Sequence, residues 1–143
     1  YGMSAISAET CDVGVKKVPL NDDFSLNVDA ICDEDDVNLV FICSPNNPTG
    51  TRADSNDVEK ILSHFKDRAL VVMDEAYIEF DSEGSWADKL AQYPNLVVLR
   101  TLSKAFGLAA DLRWHQQKSF SLCSKLLRPT PYQSQSHKSP RRH

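Results

Sequence analysis

Three short apolar runs recur along the first 110 residues, and a polar loop follows each of them. The runs are residues 37–43 (VNLVFIC), 69–73 (ALVVM) and 96–99 (LVVL). Their length and their β-branched side chains favour buried strands over helices. Residues 13–20 have the pattern of a further short strand, which Pro19 and the turn-forming residues 21–23 would end. We therefore predict four strands in this part of the chain.

Amphipathic segments separate the apolar runs. Residues 54–68 predict a helix, with Asp54 or Ser55 as the residue that caps its first amides. The apolar positions on one face of this helix are Val58, Ile61, Leu62 and Phe65. Residues 24–33 and 85–93 predict shorter helices. Strands that alternate with helices indicate an α/β fold built on an open, mostly parallel sheet flanked by helices.

Polar residues of chemical interest follow each of the three apolar runs. Asn47 lies in SPNNPTG, Asp74 opens DEAY, and Lys104 lies in TLSKAFG. In open parallel sheets, ligands bind beyond the carboxyl ends of the strands. We therefore expect these three side chains to converge at one edge of the sheet.

Each of the three residues also has a purely structural explanation. Lys104 alone would be an exposed loop lysine, Asp74 could cap the following turn, and Asn47 could belong to a turn held by proline and glycine. A functional Lys104 needs a neutral amine, and desolvation beside Ala105 and Phe106 would lower its pKa. The three residues together therefore indicate a functional site more strongly than any one of them does alone.

One cofactor requires this combination of groups. Pyridoxal phosphate needs an amine for a Schiff base and a carboxylate that keeps its ring nitrogen protonated. It also needs donors for its phenolate oxygen, and hydroxyls with a cation for its phosphate. Lys104 and Asp74 match the first two requirements, and Asn47 with Tyr77 matches the donors. The hydroxyls are those of Thr101 and Ser103.

Longer segments resemble one family closely. YGMSAISAET, FICSPNNPTG, VVMDEAYIEF and YPNLVVLRTLSKAFGLA are similar to histidinol-phosphate aminotransferases, without a visible gap from Tyr1 to about residue 109. The resemblance implies part of the large domain of the aspartate-aminotransferase-like fold, over residues 1–110. It also implies that Lys104 is the catalytic lysine, which bonds to pyridoxal phosphate and carries a proton. Tyr1, which could equally be an ordinary tyrosine at a helix start, would stack on the cofactor ring.

The same resemblance implies the reaction and its setting. The family transfers an amino group between glutamate and imidazole acetol phosphate, which forms or consumes histidinol phosphate in histidine biosynthesis. Family members are homodimers with active sites near the subunit interface. Arg113 would bind the cofactor phosphate, but it lies one residue further from Lys104 than the family's arginine does. A different aminotransferase-fold enzyme, such as a threonine-phosphate decarboxylase relative, shares the core motifs.

Charge divides the chain near residue 110. Residues 1–110 hold 9 Lys and Arg and 19 Asp and Glu, whereas residues 111–143 hold 7 Lys and Arg and one Asp. The net charge of −4 gives no general reason to expect nucleic-acid binding. No apolar run approaches the roughly 20 residues of a membrane span, and no secretory leader opens the chain. Four unpaired cysteines without metal-site spacing argue against zinc and for a cytoplasmic protein with reduced thiols.

The basic segment 111–143 matches no family pattern in its own reading frame. Translated one base earlier, CSKLLRPTPYQSQSHKSP can give a family-like segment, so we infer an out-of-frame tail from about residue 114. Such a tail has no selected apolar period and is expected to be disordered. Because parts of the family's pattern are not found, including the arginine that clamps the substrate carboxylate, we expect this fragment to be inactive. A pseudogene product, or a binding module with a basic tail, is the alternative without catalysis.

Overall fold

The computed structural model describes residues 2–108 and 111–115, the last five as backbone. Its helices and strands are α1 (Gly2–Thr10), α2 (Val28–Cys32), β1 (Leu39–Cys43), α3 (Ser55–His64), β2 (Leu70–Asp74), β3 (Leu96–Thr101) and β4 (Asp111–His115). Two short 3₁₀ helices, Ile78–Phe80 and Trp86–Lys89, lie between β2 and β3. This is an α/β arrangement, as the alternation of apolar and amphipathic segments predicts.

The four strands form one sheet in the order β1-β2-β3-β4. The first three are parallel, and β4 runs antiparallel to β3. In the register, Cys43 pairs with Asp74, and Asp74 pairs with Leu99. The carboxyl ends of the parallel strands are therefore level, and the loops that follow them leave from one edge of the sheet.

The main core lies between one face of the sheet and α3. The predicted apolar face of this helix is confirmed, because Val58, Ile61 and Leu62 are fully buried and Phe65 is 1% exposed. These residues pack with Met73, Leu96 and Val98 from the sheet. Burial of this kind contributes about 1.5–3 kcal/mol for each large apolar side chain.

Capping determines where α3 begins and ends. Asp54 accepts hydrogen bonds from the N–H groups of Asn56 and Asp57, as expected for an N-cap. The helix ends at His64, four residues before the predicted end, and Asp67 adopts a left-handed backbone with φ 63°. The turn that follows leads directly into β2.

Three predicted elements differ from the structure. Residues 13–20 form no strand, and Val13 and Val15 are exposed, because no neighbouring strand pairs with this segment. The helix predicted at 24–33 is shortened to α2, where Asn27 caps the N–H of Ala30. The helix predicted at 85–93 is only the 3₁₀ helix Trp86–Lys89.

β4 includes residues that the charge pattern assigned to a disordered tail. The backbone of Asp111–His115 pairs with β3 from Thr101 back to Val97. The division of the chain at residue 110 stays a prediction. The inference of an out-of-frame tail from about residue 114 stays a prediction, and its residues 116–143 lie outside the described residues. Within the described ranges, no helix is both long enough and apolar enough to cross a bilayer.

Candidate active site

The loop after β1 presents Asn47 from a tightly closed turn. The N–H of Gly50 donates to the carbonyl of Asn46 at 2.7 Å, and the N–H of Asn46 donates to the carbonyl of Thr51 at 2.8 Å. Gly50 has φ 69°, a conformation that favours glycine. The sequence NNPTG therefore forms the turn that its composition predicts, and this turn carries Asn47 at the carboxyl edge of the sheet.

Asp74 is the last residue of β2 and is half-buried. Its Oδ1 accepts a hydrogen bond from the N–H of Ala76 at 3.1 Å, so part of the capping role considered from the sequence is present. Its Oδ2 lies 3.5 Å from the thiol of Cys43, which donates to it from the neighbouring strand. Burial, together with the negative charge of Asp74, raises the pKa of Cys43 to about 11.

Asn47, Tyr77 and Lys104 are brought together from three separate loops. The side-chain amide of Asn47 donates to the hydroxyl of Tyr77 at 3.0 Å. Lys104 Nζ lies 5.8 Å from the centroid of the Tyr77 ring, which is within the range of a cation–π contact. An amine, a phenol and an amide therefore share one part of the sheet edge.

Thr101 and Ser103 form a second polar pair on the same side of the sheet. Their hydroxyl oxygens lie 2.8 Å apart, and the N–H of Ser103 donates to Oγ1 of Thr101 at 3.1 Å. Thr101 is 8% exposed and ends β3. Ser103 immediately precedes Lys104 in the loop that carries the amine.

One prediction about Lys104 is wrong in this chain. Ala105 and Phe106 do not bury the amine, because all three residues are exposed and Phe106 is 59% exposed. Two other predicted site residues are not tested by side-chain geometry. Tyr1 lies outside the described residues. Arg113 is on β4, and its backbone lies opposite that of Leu99 on β3.

Several residues around the site were not singled out from the sequence. Glu75 is fully buried and accepts hydrogen bonds from the Ser85 hydroxyl and the Trp86 N–H. Burial raises the pKa of Glu75, although these two hydrogen bonds oppose the shift. Arg52 forms an ion pair with Asp81, 29 residues away. The pattern of apolar and polar positions contains no signal for contacts of this kind.

The arrangement combines complementary groups around the carboxyl edge. It presents an accessible primary amine, a neighbouring phenol and amide that can both donate hydrogen bonds, and a carboxylate that is fixed by a backbone N–H. A pair of hydroxyls, from the end of β3 and the loop after it, precedes the amine along the chain. These groups can hold an aromatic aldehyde that carries an oxyanion, a basic ring nitrogen and a phosphate.

The family profile of aminotransferases of class I and II matches residues 1–111. The chain therefore belongs to this family. The curated histidinol-phosphate aminotransferase of Pseudoalteromonas atlantica is 66% identical over 110 residues, which is 76% of this chain and 30% of that protein. The chain thus spans about a third of the length of such relatives.

Solved structures show the same fold. The histidinol-phosphate aminotransferase of Clostridium acetobutylicum matches with a TM-score of 0.78 and 26% identity, over 88% of this chain and 39% of that one. The enzyme of Sinorhizobium meliloti, solved in complex with pyridoxal 5′-phosphate, matches with a TM-score of 0.72 and 24% identity over 87% of this chain and 36% of that one. The fold is therefore part of the large domain of aspartate-aminotransferase-like enzymes.

Proposed function

We propose that this chain is the cofactor-binding part of a histidinol-phosphate aminotransferase, with residues 1–110 holding pyridoxal 5′-phosphate. The observation that carries the proposal is the meeting of Asn47, Tyr77 and Lys104 at the sheet edge where Asp74 ends β2. The 66% identity to a histidinol-phosphate aminotransferase supports the substrate assignment. The transferred amino group would move between glutamate and imidazole acetol phosphate.

Each residue has a role that follows from its chemistry. Pyridoxal phosphate supplies an aldehyde for covalent attachment and a ring that withdraws electrons. Lys104 Nζ would form the covalent bond and later move a proton at the substrate carbon. Asp74 Oδ2 would hold the ring N–H, because its carboxylate is already oriented by the N–H of Ala76.

The remaining site residues would orient the cofactor. Asn47 and Tyr77 would donate hydrogen bonds to the phenolate oxygen. Thr101 and Ser103 would donate to the phosphate, and we propose Arg113 as its cation. Tyr1 would stack on the ring. Histidinol phosphate as a substrate is part of the proposal, and the similarity to the Pseudoalteromonas atlantica enzyme supports it. A homodimer and a cytoplasmic location complete the proposal and follow from the family resemblance alone.

A covalent adduct at Lys104 tests the proposal directly. The 143-residue chain is mixed with pyridoxal phosphate, the adduct is fixed with borohydride, and the modified lysine is located by mass spectrometry. We expect visible absorbance and modification at Lys104, both of which Lys104→Ala abolishes. Lys17→Ala, at an exposed lysine outside the site, is the matched control and leaves the adduct unchanged.

Modification spread evenly over exposed lysines would contradict the proposal. So would an adduct that persists at equal yield in Lys104→Ala. A second variant, Asp74→Asn, keeps the shape of the side chain and removes its charge. We expect it to weaken binding of the cofactor without preventing the Lys104 adduct at high pyridoxal phosphate concentration.

A further inference from the structure

Two loops at the carboxyl edge carry the proposed phenolate-binding donors. The Asn47 loop comprises residues 44–53, and the Tyr77 loop comprises residues 75–86. Each loop has its own backbone hydrogen bonds. In the Tyr77 loop, the N–H of Phe80 donates to the carbonyl of Tyr77 at 3.1 Å, and the N–H of Asp81 donates to that of Ile78 at 3.0 Å. These hydrogen bonds fix the shape of each loop, but they do not fix the position of one loop relative to the other.

Arg52 connects the two loops. Its Nη1 forms an ion pair with Asp81, and both Nη1 and Nη2 donate to the carbonyl of Gly84, at 3.1 and 3.2 Å. Its Nε lies 3.3 Å from Oε2 of Glu83, an ion-pair distance. The guanidinium thus meets the Tyr77 loop at three residues, with the geometry of a fork.

The Arg52 contacts are stronger than the other link between the loops. The hydrogen bond from Asn47 to Tyr77 joins two neutral groups. A charge-assisted hydrogen bond is roughly twice as strong as a neutral one, and the ion pair is largely shielded, with side-chain exposures of 20% for Arg52 and 9% for Asp81. We therefore expect Arg52 to dominate the relative placement of the two loops.

The charge state of Asp81 is consistent with this role. Desolvation acts to raise the pKa of Asp81, but the N–H of Glu83 and the Arg52 guanidinium outweigh it and hold that pKa below the usual range. A cavity of about 470 Å³ opens between the two loops, and its lining includes Asn47, Arg52, Tyr77 and Asp81. The ion pair therefore borders the space that separates the two donors.

The far side of the Tyr77 loop is also anchored. Glu79 forms an ion pair with Arg100 on β3, which ties this loop to the strand that leads to Lys104. Arg52 thus links the Tyr77 loop to the Asn47 loop, and Arg100 links it to β3. Losing the Arg52 contacts would leave the Tyr77 loop tied to β3, with the neutral hydrogen bond from Asn47 to hold Tyr77 on the other side.

We propose that Arg52 is a positioning residue whose ion pair with Asp81 sets the relative placement of Asn47 and Tyr77, and thereby their joint contact with the phenolate oxygen of pyridoxal phosphate. This inference rests on the proposed function. Arg52 itself does not contact the cofactor in this scheme, since its Nη1 and Nη2 donate to the Tyr77 loop.

Arg52→Met tests the inference through a spectroscopic readout. We expect the variant to bind pyridoxal phosphate roughly tenfold more weakly, which is about the effect of losing one net hydrogen bond. The pH midpoint of the visible absorbance of the adduct should rise. The proton that titrates is on the Lys104 nitrogen of the adduct, beside the phenolate oxygen. Two well-placed donors stabilise the phenolate once this proton has left, so displacing the donors makes the proton harder to remove.

Three further variants separate positioning from a general loss of charge. Arg52→Lys keeps the charge but loses the fork, so we expect a partial rise of the midpoint. Asp81→Asn keeps the side-chain shape and should shift the midpoint in the same direction as Arg52→Met. Lys60→Met removes an exposed ion pair with Asp57 on α3 and should leave both affinity and midpoint unchanged. An Arg52→Met chain with the affinity and midpoint of the unsubstituted chain would overturn the inference.

A measurement without cofactor keeps this test separate from the proposed function. Hydrogen exchange is followed in the cofactor-free chain at the amides of Gly50, Phe80 and Asp81, with Val72 in β2 as the reference. Arg52→Met should speed exchange at the three loop amides by several-fold and leave Val72 unchanged. Equal exchange in the two chains would refute the positioning role. Failure of the unsubstituted chain to form a Lys104 adduct would instead refute the proposed function.

Discussion

The face of the sheet that packs against α3 and the loops at its carboxyl edge are held by different forces. On the packed face, Ile61, Leu62 and Val98 are fully buried and interlock through apolar contacts. At the carboxyl edge, Asn47 and Tyr77 are only half-buried, and Lys104 is exposed. The links there are hydrogen bonds and ion pairs between loops.

Because of this difference, we expect the packed face to determine the stability of the chain and the carboxyl edge to determine its function. Apolar burial is roughly additive in area and tolerates small displacements, whereas hydrogen bonds lose strength steeply with distance and angle. The packed face can therefore hold the strands in register while the loops determine where the chemical groups lie. Substitutions on the packed face should therefore change the free energy of unfolding, and substitutions at the carboxyl edge should change mainly the placement of the chemical groups.

The largest expected effect is at the centre of the packed face. Phe65→Ala should lower the free energy of unfolding by about 3–5 kcal/mol, because the ring is 1% exposed and its removal leaves a cavity. Phe80→Ala is the matched control, since that ring is 71% exposed, and it should change stability by less than about 0.5 kcal/mol. Urea unfolding followed by circular dichroism measures both. Similar losses for the two variants would remove the contrast between the regions.

A buried acid beside the site should give an intermediate effect. Glu75→Ala leaves the Ser85 hydroxyl and the Trp86 N–H without their acceptor, which should cost about 2 kcal/mol. Exposed Glu9→Ala on α1 is the control and should stay within about 0.5 kcal/mol.

The effect of Glu75 should also depend on pH. Because burial raises the pKa of Glu75, its contribution to stability is complete below the ordinary value of 4.5 and declines as pH rises through the higher pKa of the folded state. The stability difference between the unsubstituted chain and Glu75→Ala should therefore shrink from pH 4.5 to pH 7. A difference that grows over this interval would show that the folded state favours the charged carboxylate and lowers the pKa of Glu75, contrary to the expectation.

The smallest stability effect is expected at the functional edge. Tyr77→Phe removes the acceptor for the Asn47 amide and should cost about 0.5–1 kcal/mol, because the groups are only half-buried and water replaces the lost hydrogen bond. A double-mutant cycle with Asn47→Ala isolates the coupling between the two side chains. A coupling above about 2 kcal/mol would mean that this link also supports the fold, which is more than a neutral hydrogen bond usually contributes.

The sequence predicted the strands and the helix that bury apolar residues. Residues 37–43 contain β1, residues 69–73 and 96–99 contain most of β2 and β3, and residues 54–68 contain α3. It also predicted that Asn47, Asp74 and Lys104 would converge at one edge of the sheet. The structure places Asp74 at the end of β2 and brings Asn47 and Lys104 to Tyr77, and the role of these residues as a site stays a prediction. These features follow from local patterns, because an apolar period or a strand end is encoded within a few neighbouring residues.

The sequence failed where an outcome depends on a distant partner. Residues 13–20 alternate like a strand but find no strand to pair with, and residues 111–115 pair with β3 although they looked like part of a tail. Strand propensity reflects the neighbours that a segment meets more than the segment itself. The burial of Lys104 was overestimated for the same reason, since Ala105 and Phe106 are apolar but nothing described covers them.

By itself, the sequence determined the core-forming segments, the family and the order of the site residues along the chain. Only the tertiary structure decided which side chains meet: Cys43 with Asp74 across neighbouring strands, Glu75 with Ser85 within the Tyr77 loop, and Arg52 with Asp81 between two loops. The physical reason is that strand register fixes the first of these contacts and turn geometry fixes the other two. A register shift of one residue between β1 and β2 would turn side chains to the opposite face and separate Cys43 from Asp74, although the sequence of each strand would be the same.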